Sequence, residues 1–143
     1  MTGPVTSWSL VPIASPEVWQ ARVWHALRHL DDRSILNQSP LARLAHIQRL
    51  ADKEFRGNIL VRGLALREVL VDCIDRIIEQ GNSERGLHNT CEFLRLAKEG
   101  MSLKAISKTL GVSREHVTRF YKKKAVELLT RIFLSTIRDG RCA

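Results

Sequence analysis

The chain has 143 residues, 44% of them hydrophobic and 27% charged, with 23 Lys and Arg against 15 Asp and Glu for a formal net charge of +8. That hydrophobic fraction excludes wholesale disorder, and the length suits one compact domain or two small ones. No apolar run approaches the ~18 residues that a membrane helix requires, and Cys73, Cys91 and Cys142 form an odd set without a close pair. Reduced thiols in a cytoplasm are expected, with no disulfide framework.

Residues 1–15 lack a basic start and a continuous apolar segment, so they do not read as a secretion signal. They are expected to form an irregular arm whose Trp8, Leu10, Val11 and Ile13 dock on the body. Ser15-Pro16-Glu17 then supplies an N-cap, a proline at the first helical position and an acid in the first turn. The helix that follows carries Trp19, Val23, Ala26, Leu27 and Leu30 on one face. A second Ser-Pro pair, Ser39-Pro40, predicts a helix bearing Leu41, Leu44, Ile47 and Leu50. A third helix is predicted from Asn58 to Glu79, where Leu66, Leu70, Cys73, Ile74 and Ile77 keep helical spacing. Gly81-Asn82-Ser83 breaks the chain, and a domain boundary is placed there.

Residues 84–99 read as a helix with Leu87, Cys91, Leu94 and Ala97 along one face, ended by Gly100. Ser102 caps the next helix, in which Ile106 and Leu110, four apart, point inward. Gly111 suits the left-handed conformation that ends a helix, Val112 plugs the corner and Ser113 is an N-cap. Beyond it, Val117, Phe120 and Tyr121 are expected inside. Ser113, Arg114, Glu115, Thr118, Arg119 and Lys122 are left outside, and all but Glu115 can donate to phosphate oxygens or base edges. Lys122, Lys123 and Lys124 fan around the helix and suit phosphate contact without base specificity. Arg114 and Arg119 are the candidates for bidentate contact to guanine, worth about 1–3 kcal/mol of discrimination each.

The run EFLRLAKEGMSLKAISKTLGVSREHVTRFYKKKAVELL resembles the promoter-recognising C-terminal domain of bacterial sigma factors and the related LuxR-type regulator domain. The resemblance rests on Gly100, Ser102, Ile106, Ser107, Leu110, Gly111, Val112, Ser113, Val117, Ala125, Leu128 and Leu129, and covers the last third to two-fifths of the chain. It implies that Ser113, Arg114, Glu115, Thr118, Arg119 and Lys122 lie at the DNA groove. Ser107 stands where Ala is commoner. The last helix also runs on through KKKAVELLTRIFLSTI, longer than in most relatives, which suggests a dimer contact through Val126, Leu128, Leu129, Ile132 and Phe133.

Charge distribution points the same way. Residues 1–84 hold 10 basic and 10 acidic side chains, whereas residues 85–143 hold 13 and 5, which is the whole of the +8. A basic half of this kind fits a polyanion partner and salt-dependent binding. Other constellations have plainer readings. His25 and His29 are four apart but lack an acidic or Cys partner at metal-site spacing, so a solvated helix flank is the reading. Glu68, Asp72, Asp75 and Glu79 form an acidic stripe with Arg67 and Arg76 beside it, read as a solvated face; docking of that stripe on the basic half is a sharper variant. Trp8, Trp19 and Trp24 read as core. No phosphate-cradling loop and no nucleophile–base signature stands out, so no catalytic residue, metal or cofactor is expected.

The expected protein is therefore all-α. An arm (1–15) precedes a helical domain (16–81) for dimerisation or partner contact, and a tri-helical helix-turn-helix domain (84–138) with an extended C-terminal helix follows. Its expected function is that of a DNA-binding transcriptional regulator acting on double-stranded DNA, with a homodimer as one arrangement. The alternatives are a protein-interaction module that uses the same helices, and a nonspecific nucleic-acid binder.

Overall fold

The computed structural model describes residues 15–57, 59–81 and 87–139, and the docking arm, Asn58, the break after Gly81 and Cys142 lie outside them. The protein is all-α, with no strand among the described residues. Helix α1 (Pro16–Arg28) starts as the sequence predicts, with the Ser15 hydroxyl accepting from the Val18 amide at 3.3 Å. A short helix not foreseen, α2 (Arg33–Gln38), follows, capped by the Asp32 carboxylate, which accepts from Ile35 N at 3.1 Å.

The Ser39-Pro40 signal opens a 3₁₀ turn (Pro40–Arg43) instead of the predicted helix. Ser39 does cap it, accepting from Leu41 N at 3.2 Å, but Leu44 is extended and α3 (Ala45–Glu54) begins only after it. The interruption lets Leu41, Ala42 and Leu44 all reach the interior. The third predicted helix is α4 (Val61–Gly81), which starts later than the sequence suggests and runs on through Gly81.

Helix α4 is the hub. At 21 residues it is about 30 Å long. Its first half meets α2, α3 and the 3₁₀ turn. Its second half meets α5 (His88–Lys98) and the final helix α8 (Lys123–Asp139). The predicted stripe Leu66, Leu70, Cys73, Ile74 and Ile77 is fully buried, joined by Ala65 and Val69 on the flank. Contacts fix the crossing with α8: Cys73 Sγ lies 3.8 Å from Thr136 Oγ1, and Arg76 pairs with Asp72 at 2.6 Å while reaching Thr136.

The charge boundary near residue 84 is not a packing boundary. Trp19, Leu27, Leu66, Ile74, Phe93, Ile106, Val117 and Phe133 belong to one buried cluster that draws on both halves. Each buried Leu, Ile or Phe in it contributes on the order of 1.5–3 kcal/mol relative to exposure. Leu129 and Phe133 belong to this intrachain cluster, whereas Val126, also buried, lines a channel beside α1. Leu128 and Ile132 of the same tail pack against the cluster, partly buried.

Candidate nucleic-acid interface

The basic half is shaped by two helix stops of one kind. Helix α5 ends at Gly100 (φ 89°), with Met101 N bonded to Leu96 O and Gly100 N to Ala97 O. Helix α6 (Leu103–Leu110) ends at Gly111 (φ 71°), with Val112 N bonded to Ser107 O and Gly111 N to Lys108 O. Both are left-handed stops that a Cβ would strain. Ser107 does more than stay small: its hydroxyl donates to the Val112 carbonyl at 2.6 Å and ties the corner shut. An alanine could not make that bond.

Ser102 caps α6 by accepting from Ala105 N, and Ser113 caps the next helix by accepting from His116 N, each at 3.1 Å. From Ser113 the chain stays helical to Asp139. It passes through α7 (Arg114–His116), a π-helical stretch (Val117–Lys122) and α8 without leaving helical backbone angles. This composite helix (114–139) is about 39 Å long.

The π stretch corrects one expectation. Val117 is fully buried and Tyr121 half-buried as predicted, but Phe120 is 55% exposed. An α-helix would hold Phe120 about 60° from Val117 around the axis; the wider π turn swings it to about 115°. Val117, Tyr121, Ala125, Leu129, Phe133 and Ile137 face inward at a constant spacing of four. Such a seam creeps about 40° per step around an α-helix, and one π turn sets it back about 33°. Phe120 is left on the outer face, its ring 4.8 Å from that of His116, which in turn meets Tyr121 edge-on at 5.1 Å.

The candidate contact residues fall into two groups. Ser113, Arg114, Glu115, Thr118, Arg119 and Lys123 are exposed. Arg119 pairs with Glu115 at 3.0 Å, with side chains 67% and 75% exposed. Lys122 is half-buried, its ammonium 4.6 Å from the centre of the Trp24 ring. Trp24 itself stacks on Phe93 at 6.2 Å, whereas Trp19 is buried. Lys122 is thus anchored to α1 and does not point freely to solvent with its neighbours.

Sequence reasoning missed the second wall of this surface. Helix α1 runs beside the composite helix in the opposite direction: Pro16 and Trp19 lie by Thr130 and Leu134, and Trp24 lies by Arg114 and Lys122. Between the two helices is a channel of about 870 Å³ bounded by Glu17, Gln20, Trp24, Arg114, Glu115 and Lys123, among others. It continues into a concavity of about 540 Å³ edged by Arg28, Gly100, Lys104, Arg114 and Lys122. No local pattern in α1 announces that contact.

Elsewhere the rejected constellations have simple environments. The His25 and His29 rings lie 4.7 Å apart, and no group of three or more His, Cys, Asp or Glu side chains gathers as a metal-ligand set among the described residues. The acidic stripe touches the basic half through Asp75, which pairs with Lys98 at 2.8 Å, but does not line the channel. Arg95 bridges Glu92 and Glu99, and that pairing holds the Glu92 carboxyl below its ordinary range. Among the described residues no helix is long and apolar enough to cross a membrane. No family model, curated protein or solved structure matches the chain.

Proposed function

We propose that the protein is a sequence-specific, DNA-binding transcriptional regulator that lays the segment starting at Arg114 in the major groove. One observation carries this reading. The Gly111–Ser113 corner launches a helix whose inner side is anchored by the fully buried Val117, Ala125 and Leu129, while Arg114, Thr118, Arg119 and Lys123 stay exposed on its outer side. A helix 10–12 Å across fits a groove about 12 Å wide. Arg114 and Arg119 then read base edges, Lys123 meets phosphate, and Ser113 and Thr118 supply hydroxyls. Phe120, turned outward, adds an apolar surface of the kind that meets a thymine methyl. The protein acts in a cytoplasm without a catalytic centre or cofactor, alone or as a homodimer.

Fluorescence anisotropy with duplex DNA across a salt series tests the reading. Binding should weaken steeply with salt and weaken further in Arg114→Ala/Arg119→Ala. Unchanged binding by that double variant, with the fold intact, excludes the groove assignment. Selection from a random DNA pool separates a regulator from a nonspecific binder, which would enrich no sequence. The exposed Phe120 favours a second reading, in which this face docks on another protein; absence of DNA binding at low salt would select it.

A further inference from the structure

We propose that α1 is itself part of the DNA interface: Arg28, with Lys104 and Lys122, seats a backbone phosphate of the strand flanking the occupied major groove, beside the base-reading Arg114. This rests on the DNA-binding reading and extends it to an element outside the helix-turn-helix unit.

A helix that fills the major groove leaves no room for the phosphate ridges except along its own flanks. On one flank of the composite helix stands α1, so one ridge must enter the channel between them. Within that channel the charges are unevenly placed. The larger part contains Glu17 and Glu115 among its cations. The smaller concavity brings together Arg28 from α1, Lys104 from α6, and Arg114 and Lys122 from the composite helix, with no carboxylate in its lining.

The nearest carboxylate is that of Asp31 at the rim, whose Oδ2 lies 2.8 Å from where a Gly100 Cβ would stand. Arg76, Arg95, Lys98 and Arg119 are each paired with a carboxylate. Among the described residues, no such pair involves Arg28, Lys104 or Arg114. Lys122 is held over the Trp24 ring, at the edge of the same concavity. Four cations from three elements line one concavity, paired with no carboxylate among the described residues, and an entering anion relieves their mutual repulsion. The phosphodiester of the flanking strand is that anion. A phosphate contact of this kind positions the protein and adds no sequence preference.

The test compares wild type, Arg28→Ala, Arg28→Lys and Arg62→Ala, the last an exposed arginine on α4 away from the channel. Affinity for a mixed-sequence duplex is measured across a salt series, and thermal unfolding of each variant checks the fold. Arg28→Ala should bind several-fold more weakly at low salt, and the slope of log K against log salt should shrink by about 0.9, one contact's worth. Arg28→Lys should keep the wild-type slope, and Arg62→Ala should match wild type. Lys104→Gln provides an independent change in the same concavity and should shrink the slope likewise. An Arg28→Ala slope equal to that of wild type, or an equal loss in Arg62→Ala, overturns the role of α1 and leaves the DNA-binding reading standing. A wild-type protein that fails to bind DNA at low salt overturns both.

Discussion

Glu115→Gln removes a carboxylate from the face proposed to meet DNA, and its effects on folding and on binding should have opposite signs. Glu115 pairs with Arg119 at 3.0 Å, one helical turn away, with both side chains well exposed. An exposed pair at that spacing is worth about 0.3–0.5 kcal/mol. The carboxylate also sits in the first turn after the Ser113 cap, where the helix dipole adds about 0.3–1 kcal/mol. Loss of both should lower the unfolding free energy by about 1 kcal/mol, a drop of a few degrees in Tm. On DNA the balance reverses. Arg119 no longer has to leave Glu115, which returns about 0.3–0.5 kcal/mol. A carboxylate ~7 Å from a phosphate is repelled by roughly 0.6 kcal/mol in water, and that repulsion disappears. The variant should therefore bind mixed-sequence DNA about 5-fold more tightly at low salt, the gain fading as the screening length falls to about 8 Å near physiological ionic strength. Anisotropy titrations paired with thermal melts read both effects. Unchanged or weaker DNA binding by a folded Glu115→Gln protein would refute the placement of this face against phosphate.

Gly63→Ala should destabilise the protein although alanine is the better helix former. Its Cβ would lie 2.5 Å from the Arg33 carbonyl and 3.0 Å from Asn37 N, so overpacking of about 1–3 kcal/mol opposes a propensity gain of about 1 kcal/mol; a raised denaturation midpoint would contradict the close α2–α4 crossing. Phe133→Ala, at a fully buried site, should cost about 3–5 kcal/mol, whereas Phe120→Ala should unfold at nearly the wild-type urea concentration. The same Phe120→Ala protein should lose affinity for thymine-containing duplex and match wild type on duplex carrying uracil instead; equal losses on both would exclude the methyl contact. His46 is buried and its pKa is lowered, chiefly by burial and secondarily by Arg49. The unfolded chain therefore takes up the proton first, so stability should be full above the ordinary histidine pKa of about 6.5 and fall as pH drops below it. Equilibrium denaturation at several pH values should show that acid limb flattened in His46→Gln. Burial pushes the Cys73 thiol up to about 11, so it should react with a thiol reagent far more slowly in the native than in the unfolded protein; equal rates would count against its burial.

Much of the local structure is written in signals that act over four or five residues. Ser15-Pro16, Ser102 and Ser113 each cap the helix they were expected to cap, because a side-chain oxygen and an amide three positions on are brought together by the backbone alone. Gly100 and Gly111 stop their helices for an equally local reason. The apolar stripe of α4 followed from spacing, since a long helix has no other way to shelter it. Where signals compete, local reading failed. Ser39-Pro40 does initiate a turn, but burial of Leu41, Ala42 and Leu44 ends it within four residues.

The sequence by itself therefore determined the helical class, the tight corner at Gly111–Ser113 and the cationic set from Arg114 to Lys123. Tertiary structure decided what surrounds that set. The stretch Val117–Lys122 takes up a π turn, and Phe120 is left on the exposed side of the helix. Packing also drew both halves into one core, with Leu129 and Phe133 of the apolar tail inside it. It set α1 alongside the composite helix, bringing Trp24 under Lys122 and Arg28 toward Lys104. Those neighbours are some 75–100 residues apart in the chain. Periodicity and capping reach only a turn or two, whereas such pairings emerge from the mutual fit of whole helix faces.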